Sequence, residues 1–313
     1  MVDTKHREES LVSIIVPLYN HQNYVEKCLG SMAQEGHNNI EVIVLDDGST
    51  DDSYHIVKKW RDNNSNIFKS FVLERQENIG FTKTLNRLLK MSHGDFIVLI
   101  ASDDYLLPGG IEARLNALKA HPKWLAVFGD CRVVDEHENV LYESGIFDFY
   151  KKERTRREAL FNEKLIGAEL ALRWSVPGPV FMMKREAMDV VGYYNESYIV
   201  EDYDYYLRLL NRYALGYVDF KVACYRLHSN NTIINKSFNY EGILNLADAA
   251  LKNSFYAKGL MKYALLLRYY SILNQVRESE VNINRIYNRA EWILLRACRK
   301  LLNILQDVRF YLE

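Results

Sequence analysis

Apolar positions in this chain arrive in short runs, each closed by a polar or acidic turn and followed by a segment of helical period. Val12-Ser13-Ile14-Ile15-Val16 is a β-branched run suited to a strand, and Pro17, which cannot donate to a ladder, predicts its end. From Tyr24 onward Val25, Cys28, Leu29 and Met32 recur at helical spacing. Glu41 to Leu45 predicts a second buried strand, followed by the acidic turn Asp46 to Ser53 and a helix that gathers Ile56, Val57 and Trp60 on one face. Phe71 to Leu73 predicts a third strand; the loop Asn78-Ile79-Gly80 comes next, and then a helix turning Phe81, Leu85, Leu88 and Leu89 inward. Ile97-Val98-Leu99-Ile100 is apolar without alternation, as expected of a central strand covered on both faces. Pro108 suits the start of the next helix, whose stripe is Ile111, Leu115 and Leu118. Strands alternating with helices over short connections predict an α/β fold built on a mostly parallel sheet.

After Leu125 the rhythm changes to short strands expected around Val127, Val133 and Val180, then a helix opened by Glu201-Asp202 and a last strand near Val222 that leads to Tyr225-Arg226-Leu227-His228. Beyond Asn239 only helical stripes remain: Leu265, Leu266, Tyr269 and Ile272, then Ile293, Leu294, Ala297, Leu301 and Leu305. This divides the chain into an α/β unit over 1–238 and a helical extension over 239–313.

Composition narrows the classes. A length of 313 residues, 48% of them hydrophobic, provides a sizeable core, and a formal net charge of -1 gives no general attraction to nucleic acid. Cys28, Cys131, Cys224 and Cys298 lack zinc-site spacing or a disulfide pattern. Met1 to Ser10 is charged and has no apolar signal core, and no stretch approaches the ~20 apolar residues of a membrane span, so the expected place is the cytoplasm. From Tyr240 to Glu313, 11 Lys and Arg against 7 Asp and Glu give +4. Arg289, Arg296, Arg299 and Lys300 stand there beside Trp292 and the apolar stripe, a mixture suited to peripheral contact with an anionic membrane surface. The same periodicity fits a hairpin docked on the α/β unit or a homodimer contact.

Candidate chemistry collects at strand ends. In open α/β sheets ligands lie outside the carboxyl ends of the strands, where Asp46-Asp47 and Asp103-Asp104 fall. Adjacent carboxylates repel each other, and a divalent cation removes that cost; a solvated Asp-Asp turn is the alternative. The chain has no G-x-G-x-x-G dinucleotide fingerprint, and the loop from Pro17 to Asn23 holds neither Gly nor a basic residue, which disfavours a dehydrogenase and a sugar-nucleotide synthase.

Taken in order, Pro17-Leu18-Tyr19-Asn20, Asp46-Asp47-Gly48-Ser49, Asn78-x-Gly80, Ser102-Asp103-Asp104 and Glu201-Asp202 resemble the signatures of glycosyltransferase family 2, over roughly residues 11–230. The resemblance implies a GT-A fold and an inverting transfer of a hexose or N-acetylhexosamine from a UDP-sugar to a saccharide hydroxyl. The implied acceptor is a lipid-linked intermediate of cell-surface polysaccharide such as O-antigen or capsule. It implies that Pro17, Tyr19 and Asn20 form the nucleotide loop, Tyr19 stacking on uracil, that Asp47 hydrogen-bonds the base, and that Asp103 meets the ribose. Asp104 and His228 would hold Mn2+ or Mg2+, and Asp202, with Glu201 as the alternative, would be the general base. Two departures stand out: Ala101 where many members carry Asp, and Leu85 where members tend to carry Arg, with Lys83 as the substitute positive charge. They motivate the alternative of a catalytically impaired nucleotide-sugar-binding or scaffold protein.

Overall fold

The apolar runs become the middle of a nine-stranded sheet. In the computed structural model, which describes residues 10–64, 66–149, 157–212, 214–229, 231 and 240–278, strands β1 (Val12–Leu18), β2 (Ile40–Asp46), β3 (Ser70–Arg75) and β4 (Phe96–Leu99) run parallel in the order β3-β2-β1-β4. Helices α1 (Val25–Met32), α2 (Ser53–Asn63) and α3 (Phe81–Met91) make the crossovers. Every residue of β1 and β2 is buried, as expected of strands with helices on both faces.

Strand β1 runs past the end predicted at Pro17, which lies in register with Leu45. Ile15 accepts from the Ile100 N–H on the β4 side, and along a parallel strand alternate residues face the same neighbour, so Pro17 faces that side too. Strand β4 has already ended at Leu99, so the missing N–H forfeits no ladder bond.

Past β4 the sheet turns mixed. β5 (Tyr105–Leu106) and α4 (Gly110–Ala120) precede β6 (Ala126–Val134), one nine-residue strand where two short ones around Val127 and Val133 were expected. β7 (Val140–Tyr142) pairs with β6, and a π-helical turn covers Gly145–Phe149. After α5 (Arg157–Leu160) and α6 (Ile166–Leu172) come β8 (Phe181–Lys184), α7 (Ala187–Val191), α8 (Glu201–Leu210) and β9 (Leu215–Arg226). The order is completed as β4-β8-β6-β9-β5, with β8 antiparallel to both neighbours and β9 parallel to β6. This return of β9 brings its carboxyl end, and hence His228, beside the residues that follow β4.

Helices α9 (Tyr240–Tyr256) and α10 (Gly259–Glu278) pack on each other, α9 also against α8 and α10 against α6. Ala249, Ala250, Met261, Ala264 and Leu265 join the main core. The Tyr198 hydroxyl donates to Asp248 at 2.6 Å, Ile199 N–H donates to Asn245 Oδ1 at 2.7 Å, and Asn253 donates to Asp204 at 3.0 Å. These two helices are thus fastened to the α/β unit at the loop before α8 and along α8 itself. The second stripe, Ile293 to Leu305, and the basic positions Arg289, Arg296, Arg299 and Lys300 around Trp292 lie outside the described residues. Among the described residues no helix is long and apolar enough to cross a membrane.

Candidate active site

Three loops converge at the carboxyl ends of β1, β2 and β4, and hydrogen bonds between them fix where their side chains stand. Asp47 N–H donates to Leu18 O at 2.8 Å. Asn20, at φ +53, occupies the left-handed region that Asn tolerates better than most residues. Its Oδ1 accepts from Thr50 N–H at 2.8 Å and its own N–H donates to Ser49 Oγ at 3.0 Å. The Asn20 side chain therefore serves as a clasp between loops. Next to it Tyr19 remains 46% exposed, its ring open to a planar ligand, while Pro17 is buried. Beside these loops is an open polar cleft of about 750 Å³ lined by Ser49, Thr50, Asp51, His55 and Arg75, among others.

Asp47 is buried and organises the loop after β3: Oδ1 accepts from Gln76 Nε2 at 2.7 Å and Ile79 N–H at 2.9 Å, and Oδ2 accepts from Gly80 N–H at 3.0 Å. A carboxylate offers about four acceptor positions, and these three donors fill two on Oδ1 and one on Oδ2. Gly48 is needed here, since at φ +76 a Cβ would stand 3.0 Å from the Asn78 nitrogen.

The two carboxylates after β4 face different surroundings. Asp104 is 2% exposed and its Oδ1 accepts from Arg226 N–H at 2.8 Å; burial, then the charge of Asp103, push its carboxyl well above the usual range. Asp103, also buried, lies between two imidazoles, with Oδ2 2.9 Å from His228 Nε2 and Oδ1 3.9 Å from His21 Nδ1. Burial opposes its ionisation, but the hydrogen bond with His228 and the positive influence of both imidazoles outweigh it and hold its carboxyl below the usual range. Asp103 Oδ1 is buried and has no hydrogen-bond partner. Arg226 is the strap between these parts: its Nε donates to Asp103 O at 2.9 Å, and its guanidinium lies 5.1 Å from the Tyr24 ring centre, while Tyr24 stacks on His228 at 4.8 Å.

His21, Asp103 and His228 offer one ligand atom each within 4.8 Å of one another, the one such group among the described residues. The carboxylate that meets His228 is thus Asp103 and not Asp104. The turn closed by the Asp104 N–H on Ala101 O hands the second carboxylate to the Arg226 backbone N–H and leaves the first for His228. His21 went unnoticed in the sequence; the only signal was its place two residues after Tyr19, in the loop at the same end of the sheet. Burial lowers the His21 pKa, with the charge of Asp103 opposing.

The acidic pair opens α8. Asn86 donates to Tyr194 O at 3.0 Å and accepts from Tyr194 N–H at 2.9 Å, tying the segment before α8 to α3. Asp202 Oδ1 accepts from Tyr203 N–H at 2.6 Å. Burial, then the charge of Asp202, push the Glu201 carboxyl up to about 8, while burial pushes Asp202 to about 6 against that hydrogen bond. On α3, Leu85 is fully buried, Lys83 is exposed, and Arg87 is engaged with Glu74 and Gln76 at 2.6 and 2.7 Å.

Comparison with known proteins matches this frame. The E. coli chondroitin synthase is 28% identical over 229 residues, 72% of this chain but 30% of that protein. An uncharacterized glycosyltransferase of Rickettsia typhi is 29% identical over 241 residues, 74% of this chain and 70% of the relative. Among solved structures, residues 1–349 of S. aureus TarS in complex with UDP-GlcNAc superpose with a TM-score of 0.60 at 18% identity, covering 92% of this chain and 79% of that one. The mannosyltransferase PcManGT of Pyrobaculum calidifontis, in complex with GDP-Man and Mn2+, gives 0.63 at 18% identity over 94% and 81%. The family model described as glycosyl transferase family 2 matches residues 13–192. With the GT-A arrangement of its sheet and more than half its length within that match, the chain belongs to glycosyl transferase family 2.

Proposed function

We propose that this glycosyltransferase moves a hexose or N-acetylhexosamine from a UDP-sugar to a saccharide hydroxyl, with inversion at the anomeric carbon. The observation that carries the reading is the Asp103 carboxylate, buried, held ionised beside two imidazoles, and left with an unpartnered oxygen where the strand ends meet. An orphaned anionic oxygen among nitrogen donors fits a divalent cation. Asp103 and His228 would hold Mn2+ or Mg2+ here, Asp103 taking the role that the motif alone gave to Asp104. When bound, the cation supplies Lewis-acid stabilisation of the diphosphate leaving group.

The chain's own residues do the rest. Tyr19 offers its exposed ring to uracil and Asp47 the remaining Oδ2 acceptor to the base N–H. Asn20 keeps the two loops in register. Asp202, ionised at neutral pH, accepts the proton of the attacking hydroxyl, while Glu201 beside it stays protonated. The neighbours' complexes with UDP-GlcNAc and GDP-Man support a nucleotide-sugar donor, and a relative named chondroitin synthase supports a saccharide acceptor. We take that acceptor to be lipid-linked and met at the inner membrane face. Supporting this, the α9–α10 corner exposes Phe255 (72%), Tyr256 (78%) and Leu260 (60%), residue types that favour an interface.

Thermal unfolding with and without Mn2+ across UDP-glucose, UDP-galactose, their N-acetyl forms and GDP-mannose tests the donor class. At 100 times its dissociation constant a true donor adds about 2.7 kcal/mol. Stabilisation by GDP-mannose alone would move the base preference away from uracil.

A further inference from the structure

We infer that His21 is a third protein ligand of the cation, so that the site presents two imidazole nitrogens and one carboxylate and selects first-row transition ions over Mg2+. The inference rests on the reading that Asp103 and His228 hold the cation, and adds a ligand from the loop after β1.

Three observations point to His21. Its Nδ1 lies 3.9 Å from Asp103 Oδ1, the oxygen without a hydrogen-bond partner. Its ring meets that of His228 edge-on, with centres 5.7 Å apart, so both imidazoles flank one carboxylate. Its backbone is held on both sides: the His21 N–H donates to Ser53 Oγ at 2.8 Å, and its carbonyl accepts from Tyr24 and Val25 N–H at 3.0 Å each. Ser102 Oγ also stands 2.7 Å from Nδ1, and because that nitrogen has one lone pair, a cation bound there takes the place of the Ser102 contact.

The donor set determines the preference. Ala101 contributes no side-chain donor and Asp104 is committed to the Arg226 N–H, so a single carboxylate faces the site. Mg2+ prefers oxygen ligands and dehydrates reluctantly, whereas imidazole suits first-row transition ions, with affinity rising from Mn2+ through Co2+ to Cu2+. Removing His21 should therefore weaken the transition ions far more than Mg2+.

The test is metal binding to the full chain in the presence of UDP, read by the Mn2+ electron paramagnetic resonance signal and by the visible absorption of Co2+, with the metal-free melting temperature as a fold check. For the unaltered protein, Mn2+ and Co2+ should bind at least about tenfold more tightly than Mg2+, which is measured by competition. His21→Ala should weaken Mn2+ and Co2+ by about tenfold or more and leave Mg2+ within about twofold. His21→Asp, which returns a ligand of the other class, should restore Mn2+ and strengthen Mg2+. Equal loss of all three ions in His21→Ala, or unchanged Mn2+ and Co2+ binding, overturns the inference. If Asp103→Asn and His228→Ala also leave Mn2+ binding unchanged, the reading of the site itself fails; if they abolish it while His21→Ala does not, only the third ligand is lost.

Discussion

Replacing Asp202 by Asn should disable the enzyme and stabilise it at once. The amide keeps an Oδ1 to accept from Tyr203 N–H, so the local hydrogen bond survives while the charge and the basic site disappear. As a base the carboxylate is worth ~10²–10⁴-fold in turnover, or about 3–5 kcal/mol of barrier. As a buried charge it is a burden. Raising its pKa from 3.8 to about 6 costs the ionised folded state up to about 3 kcal/mol, which the half-buried position of Asp202 reduces to about 1–2. Because the folded value lies above the ordinary one, the folded protein keeps its proton more readily; the cost is absent below pH 3.8 and complete above about pH 6. The variant should therefore melt a few degrees higher at pH 8 and show no difference near pH 3.5, with UDP affinity within about twofold of the parent. For the parent, kcat against pH should rise through about 6. A rise near pH 4, lost UDP binding, or a variant less stable at pH 8 would refute the assignment of the base.

Other perturbations separate roles that lie close together. Asp104→Ala should lower stability by about 1–3 kcal/mol in chemical denaturation, since it strips the buried Arg226 N–H of its acceptor, and should weaken Mn2+ binding much less than Asp103→Asn. Asp47→Ala frees the N–H groups of Ile79 and Gly80 and the Gln76 amide, so UDP affinity measured by calorimetry should fall at least about tenfold; an unchanged value would remove Asp47 from the base site. Phe255→Ser with Tyr256→Ser should reduce sedimentation with anionic liposomes without changing donor turnover in solution, and equal sedimentation would exclude that corner as the membrane contact.

How much of this was legible in the sequence follows from the range of the interactions involved. Strands β1, β2 and β4 could be read because burial on both faces forces mostly apolar runs, and acidic turns follow β2 and β4. Pro17 misled by one residue because its effect depends on a neighbour that has already ended. β6 was split in two since its pairing with β9 joins residues about 90 apart, which no local pattern records. The same distance hid the cluster: residues 21 and 103 meet through the β1-β4 pairing, and 103 and 228 through the pairing of β5 with β9. The motif sets Asp103 and Asp104 side by side after β4, but which of them faces His228 depends on Arg226, whose backbone N–H donates to the Asp104 carboxylate and whose Nε donates to the Asp103 carbonyl.

The most direct measurement is proton NMR of an α-linked UDP-sugar turned over by the protein, in which water serves as a slow acceptor. The first sugar released should be the β-anomer, with one equivalent of UDP, only when Mn2+ is present, and release should be lost in both Asp103→Asn and Asp202→Asn. Release of the α-anomer, or of UDP without a divalent cation, would contradict an inverting, cation-assisted transfer at this site.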